Sequence, residues 1–202
     1  MDLALWTTAG LLLGSLPFSF WTARLARGVD LRGLHDGNPG ASNVFKECGY
    51  AWGFLALALD WAKGFLPVIL AQIIGGLTGW ALATVSMAPV LGHAYSPFLN
   101  FRGGKALATS FGIWTALTLV PGPFVLGLLL TIFVMVQANP GWSVVFSMLA
   151  FLLYLTIQGL TGPLLVVWLA DFALLSWKYR VVLRERVAFR WALAGRDRGV
   201  DG

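Results

Sequence analysis

The chain is 202 residues long, with 58% hydrophobic and only 11% charged residues, against roughly 25% charged in an average soluble domain. Together with a mean hydropathy of +0.77, this excludes disorder, a coiled coil and an ordinary soluble domain, and points to an all-α integral membrane protein. The net charge of +5 is no sign of a nucleic-acid partner, because the basic residues gather at the ends of apolar runs, where the positive-inside rule explains them.

In chain order, the first apolar run covers about 3–23 and is followed by Arg24, Arg27, Arg32 and Lys46. It lacks the basic start and the cleavage site of a signal peptide, since Asp2 is the only charge before Arg24. Runs at about 50–73 and 77–96 follow, divided by Gly75-Gly76, and lead to Arg102 and Lys105. Residues 106–170 contain no Lys, Arg, Asp or Glu. This stretch divides into runs at about 106–120, 123–138, 142–159 and 163–177, with breaks at Pro121-Gly122-Pro123, Asn139-Pro140-Gly141 and Gly159–Pro163. The tail then carries Lys178, Arg180, Arg184, Arg186, Arg190, Arg196 and Arg198. If all three basic groups face the cytoplasm, the runs make about seven transmembrane helices, N-terminus outside and C-terminus cytoplasmic; five is the alternative. Several runs fall short of the ~20 residues of a full crossing and are expected to tilt. The whole of 1–202 reads as a single polytopic domain with a basic tail at 178–202. Within it, 181–198 is expected to be an amphipathic helix on the anionic leaflet, or else an unstructured basic tail. Asp171 is expected to pair with that tail. One cysteine, Cys48, allows no intrachain disulfide and reads as packing.

Two polar loops interrupt this pattern. Leu34–Lys46 contains Gly37, Asn38, Pro39, Gly40, Ser42 and Asn43. Such turns aim several backbone N–H groups at one point, and Lys46 adds a charge. In Phe98–Thr109, Gly103-Gly104 leads straight into an apolar helix. A helix N-terminus holds anions, with Lys105 on it and Arg102 just before it. Neither loop has Walker A spacing, and each alone is as consistent with a connecting turn. On one face of the membrane they make two phosphate-shaped sites. Asp60 and Lys63, three residues apart, share a helix face inside an apolar run, which marks a site-lining pair or a mutually stabilising one.

At these loops the sequence resembles the PlsY-type acyl-phosphate:glycerol-3-phosphate acyltransferases of bacterial membranes, over nearly the whole chain. Gly14-Ser15-Leu16-Pro17 is similar to the family's opening, and Gly37–Val44 to its first motif, SGNPGATNV. Asp60, Lys63 and Gly64 match its LD-xx-KG helix, and Gly92-His93 through Thr109 its second motif, a GH followed by FRGGKGVAT. The resemblance implies a seven-helix fold in the bacterial inner membrane with a site facing the cytoplasm. It implies acyl transfer from acyl phosphate to glycerol 3-phosphate, giving lysophosphatidic acid and phosphate. Lys105, His93, Asn38 and Asn43 would be catalytic. Asp36, Gly37, Gly40, Ala41, Ser42, Lys46, Arg102, Gly103, Gly104 and Thr109 would bind substrate, while Ser15, Asp60 and Lys63 line or support the site. Acyl phosphate is already activated, so no covalent intermediate is needed, and no metal or cofactor is expected. The partners expected are the two substrates, membrane lipids, and lipid-synthesis enzymes or an active paralogue.

The departures from the family are specific. Asp36 replaces the Ser before GNPG, Lys46 replaces an Arg, and Ala106 follows Lys105 where the family has Gly. The family's third motif, HRxN ahead of an AG dipeptide, has no evident copy. Counting back from Ala194-Gly195 gives Glu185–Ala188, without His. Arg184, Arg186 and Arg190 are therefore expected to compensate, with Arg186 and Arg190 on one side of a tail helix. A non-enzymatic paralogue that binds lipid intermediates is the second reading, and a phosphate-ester transporter the third.

Overall fold

The computed structural model describes residues 2–191, and these are helical apart from turns and one isolated bridge. The helices are α1 (Leu3–Ser15), α2 (Phe18–Arg27), α3 (Ala41–Cys48), α4 (Tyr50–Ile73), α5 (Gly79–Ala94), α6 (Leu107–Thr118), α7 (Pro121–Val136), α8 (Pro140–Ile157) and α9 (Gly162–Leu183). Among the described residues, Leu3–Arg27, Tyr50–Ile73 and Pro140–Ile157 are long and apolar enough to cross a membrane. Leucine, valine and phenylalanine cover much of the outer surface, as lipid requires of an all-α membrane protein.

Small residues set how closely these helices approach. A Cβ on Gly14 of α1 would collide with the Pro89 backbone of α5, and one on Gly92 with Leu11 O of α1. Between α4 and α6 the same holds for Gly64 against Thr109 O and Gly112 against Trp61 O. Close backbones let Thr109 Oγ1 donate to Asp60 O (3.0 Å) and Trp61 Nε1 to Thr115 Oγ1 (3.1 Å).

The first expected run is split. Pro17 stops α1 at Ser15, and α2 restarts at Phe18. The break leaves α1 carbonyls without intrahelical donors. Lys63 Nζ reaches Leu16 O at 2.7 Å, and Ser96 Oγ reaches Ser15 O at 2.6 Å. Ser15 is thus buried at the α1–α5 contact, its own hydroxyl bonded to Leu11 O. The C-terminus of α5 is closed in the same way. Lys178 Nζ, from α9, donates to Ala94 O (2.8 Å) and Gly103 O (3.0 Å).

The expected breaks further along are helix starts. Pro121 and Pro140 occupy first-turn positions, where their missing N–H costs nothing. Asn139 caps α8, its Oδ1 accepting from Gly141 N at 2.8 Å.

Two expectations about the last segment are corrected. Asp171 does not pair with the tail. It is buried, accepts from Ser110 Oγ (2.7 Å) and Trp114 Nε1 (2.9 Å), and ties α9 to α6. Nor does a helix run from 181. It stops at Leu183, and the chain folds back on the α7–α8 junction. There Ala188 N donates to Gln137 Oε1 (3.0 Å), Ala138 N to Ala188 O (2.8 Å) and Trp142 Nε1 to Glu185 O (2.9 Å). The Gln137 side chain, the Ala138 N–H and the Trp142 indole, left free where α7 ends and α8 begins, take up the backbone of Glu185 and Ala188, so the chain turns back here. Arg186 and Arg190 therefore do not share a helix side. The expected tail beyond 191, with Arg196 and Arg198, lies outside the described residues.

Candidate active site

The two polar loops interlock at one end of the bundle. Asp36 Oδ1 accepts from Asn43 Nδ2 (2.8 Å) and from Asn38 N (3.2 Å), folding the first loop on itself. Asn43 Nδ2 also donates to Asn38 O at 2.9 Å. Asn38 Oδ1 then crosses to the second loop and accepts from Lys105 N at 3.1 Å. Across the same junction, Lys105 Nζ lies 2.8 Å from Asp36 Oδ2.

Two helices begin here, and neither is capped by a side chain. α3 starts after Gly40, and α6 after Ala106, whose φ is +68°. That left-handed residue turns the chain sharply out of Gly103-Gly104-Lys105 and presents the first turn of α6 to the cleft. The first N–H groups of a helix lack internal partners and carry the positive end of its dipole.

Both N-termini, with Lys105, border one cleft of about 540 Å³. Asn38, Gly40, Ala41, Ser42 and Lys105 make its polar end, with His93 and Asp60 beside them. Phe54, Leu57, Trp61, Phe111 and Leu130 wall the apolar remainder. The cleft is therefore anion-binding at one end and lipid-like along the other.

Behind it is a buried charge cluster. Asp60 is bonded by Ser19 Oγ and sits 2.8 Å from Lys63 Nζ. The ammonium touches Asp60 Oδ1 but lies outside hydrogen-bond geometry, so Oδ1 remains unpartnered. His93 Nδ1 is 3.8 Å from that oxygen and is likewise buried without a partner. A Cβ on Gly104 would strike His93 Nε2, and one on Gly103 His93 O, which is why two glycines pass here.

Asp36 lies outside the membrane-spanning helices. Burial opposes its charge, but hydrogen bonds from Lys105 and Asn43 outweigh it and hold the pKa at about 2. The carboxylate is therefore charged at neutral pH, and it accepts three donors of a kind a bound phosphate would use.

The structure brings together Asn38, Gly40, Ala41, Ser42, Asp60, His93 and Lys105 around the cleft, with Asp36, Asn43, Gly103, Gly104, Thr109 and Lys63 packed against them. It does not bring in the others. Arg102 and Gly37 face a separate polar hollow with Arg32 and Asn100. Lys46, Arg184 and Arg186 do not line the cleft. His35 is bonded to Glu47 at 2.6 Å, away from it.

Tyr179 lines the cleft and was missed. Lys105 Nζ stands 4.5 Å above its ring. Counting back from Ala194-Gly195 does not reach this residue; laid on Tyr179-Arg180-Val181-Val182, the pattern HRxN keeps its arginine and has Tyr at the histidine and Val at the asparagine.

Comparison with known proteins agrees with this geometry. The family model described as Glycerol-3-phosphate acyltransferase matches residues 4–188. Glycerol-3-phosphate acyltransferase 1 of Deinococcus radiodurans is 38% identical over 86% of this chain and 86% of its own. The namesake of Thermotoga maritima is 42% identical over 59% of each, so that match spans less than two thirds of the relative. The crystal structure of PlsY (YgiH), an integral membrane glycerol 3-phosphate acyltransferase, in its glycerol 3-phosphate form, superposes with a TM-score of 0.81 at 31% identity, covering 90% of each chain. Its lysophosphatidic acid form gives 0.80 at 30% identity, again over 90% of each.

Proposed function

Because the chain belongs to the glycerol-3-phosphate acyltransferase family, we propose that it moves an acyl chain from acyl phosphate to glycerol 3-phosphate, giving lysophosphatidic acid and phosphate for phospholipid synthesis. The observation that carries this reading is the two-ended cleft. Uncapped N-termini of α3 and α6 and the Lys105 ammonium meet at one end, and an aromatic and aliphatic trough leads away. An acyl phosphate has that polarity, an anionic head on an apolar chain.

The acyl chain lies along Phe54, Leu57, Trp61 and Phe111. The phosphate head takes the helix N–H groups and Lys105. A hydroxyl oxygen of glycerol 3-phosphate attacks the acyl carbon. The bond from that carbon to the phosphate oxygen breaks, and the hydroxyl proton ends on the released phosphate. Asn38 and Asn43 hold the first loop against Lys105. Ser42 and Ala41 form the floor at the α3 N-terminus. Gly103 and Gly104 let the second loop pass His93. Donors already in place stabilise charge on the departing phosphate without reorganising. Holding both substrates in one cleft supplies proximity.

In the membrane, Leu3–Arg27 is one crossing despite its break, and α4 to α9 are six more, with α3 at the surface. The N-terminus then lies outside and the cleft faces the cytoplasm of a bacterial inner membrane. The chain works as one polytopic domain.

One observation favours a second, catalytically impaired reading: Lys105 is already paired with Asp36. The test is turnover by purified protein in proteoliposomes. An acyltransferase releases phosphate from acyl phosphate only when glycerol 3-phosphate is present. Binding without release supports the impaired paralogue. Passage of labelled glycerol 3-phosphate across the bilayer supports a transporter.

A further inference from the structure

We propose that the phenolic hydroxyl of Tyr179 donates a hydrogen bond to the substrate phosphate held by Lys105, a contact that sets the affinity of this enzyme for that substrate. The inference rests on the acyltransferase reading and goes beyond it by adding a binding residue.

The geometry is specific. Tyr179 is 8% exposed and lines the polar end of the cleft. The Lys105 ammonium sits 4.5 Å above its ring, a favourable cation–π distance. An anion drawn to Lys105 therefore arrives beside the phenol. Among the described residues the Tyr179 hydroxyl makes no hydrogen bond. It is not sealed away either, since the unpartnered side-chain atoms that are fully buried belong to Asp60, His93 and Gln137. Tyrosine hydroxyls in such enclosed sites usually find a partner, because leaving the donor unused forfeits its hydration. Phenylalanine would fill the same space without that loss. A hydroxyl kept open to a cleft, next to a lysine, has an anion as its natural acceptor.

The helix around Tyr179 is fixed. Its neighbour Lys178 holds Ala94 O and Gly103 O, pinning this turn of α9 to the second loop. Two residues beyond that carbonyl comes Lys105, so the phenol and the ammonium are mounted on the same junction.

The experiment compares wild type with Tyr179→Phe and Tyr179→His in proteoliposomes. KM for acyl phosphate and for glycerol 3-phosphate is measured between pH 6 and 8, with the thermal midpoint of each protein. Tyr179→Phe keeps the ring and its cation–π contact. It should raise KM for one of the two substrates about ten-fold, leave kcat within about two-fold and leave the midpoint unchanged. Tyr179→His, whose neutral ring keeps one N–H donor, should recover part of the affinity that Tyr179→Phe loses. Unchanged KM for both substrates in Tyr179→Phe overturns the inference. So does a fall in activity that tracks a lowered midpoint, since that marks a packing role. Wild-type protein that neither turns over nor binds glycerol 3-phosphate overturns the acyltransferase reading, and this inference with it.

Discussion

Asp36 occupies the ground a substrate phosphate needs, so replacing it should improve the enzyme. Its carboxylate takes Lys105 Nζ at 2.8 Å, Asn43 Nδ2 at 2.8 Å and Asn38 N at 3.2 Å. The Lys105 side chain is 17% exposed and that of Asp36 42%, so solvent screens the pair and its worth is about 0.2–1 kcal/mol. A phosphate binding to Lys105 must loosen this pair and also sit near a like charge. Two unit charges about 4 Å apart repel by about 1 kcal/mol even in bulk water. Together these terms come to about 1–2 kcal/mol, or a roughly 5- to 30-fold fall in KM for the phosphate substrate when the charge is removed. Asp36→Ser removes both charge and reach. Asp36→Asn removes the charge alone and should recover most of the gain.

The assay is acyl transfer against substrate concentration at low and at physiological salt. The gain should be larger at low salt, because screening weakens the repulsion. Unchanged or raised KM in both variants would refute the reasoning, and would mean that Asp36 positions Lys105 instead of competing for it. The same carboxylate predicts an acid response. Its folded pKa of about 2 lies below the ordinary aspartate value of 3.8. Its contribution to stability is therefore complete above the unfolded pKa and is lost as pH falls through the folded one. Between about pH 4 and pH 2, wild type should lose thermal midpoint that Asp36→Ser, lacking the group, does not lose.

Lys105→Ala should insert and fold normally but lose about 2–4 kcal/mol of phosphate stabilisation, a drop of roughly 30- to 1000-fold in turnover, measured as phosphate release. Near-wild-type release would place the phosphate elsewhere. Gly112→Val should force α6 from the Trp61 carbonyl, costing the roughly 1–3 kcal/mol of stability typical of overpacking and so lowering the thermal midpoint. A midpoint matching wild type would show that α4 and α6 tolerate separation. Tags placed at residue 2 and after Gly202 should be cleaved by protease from opposite sides of sealed vesicles, and cleavage of both from one side would rule out any odd number of crossings.

Helix positions were legible wherever apolar runs met glycine or proline. The run at 50–73 matches α4, and the breaks at Pro121 and Pro140 appear as helix starts. The pairing of Asp60 with Lys63 was legible from spacing, because three residues fix a shared face. The joining of two loops in one cleft followed from their polar turns lying at the same end of the bundle. What spacing cannot show is which distant backbone a side chain meets. Asp171 looked like a partner for the basic tail, yet a carboxylate turned inward takes Ser110 and Trp114 instead. Arg102, three residues from Lys105, lines another hollow with Arg32 and Asn100, which spacing along the chain does not reveal. Tyr179 was hidden because a tyrosine among aromatics reads as packing, and only its position under Lys105 distinguishes it.

The division of labour among Lys63, Lys178 and Lys105 follows from what each ammonium bonds. A lysine inside a bilayer must be matched or pulled to the surface. Lys63 meets the matching need at the carbonyls left where Pro17 ends α1, and Lys178 meets it where α5 ends at Ala94. Carbonyls at helix C-termini cannot leave, so these two ammonium groups are fixed and serve the fold. Lys105 differs in what holds it. Its partner is a carboxylate on a loop, partly open to water, and so worth far less than a sealed contact. A substrate phosphate, which brings more charge and more oxygens, can displace that partner but not a buried carbonyl. The exposure of the partner therefore separates the lysine available for chemistry from the two that hold the helices in place. On that ground, replacing Lys63 or Lys178 should be felt first in stability, and replacing Lys105 first in turnover.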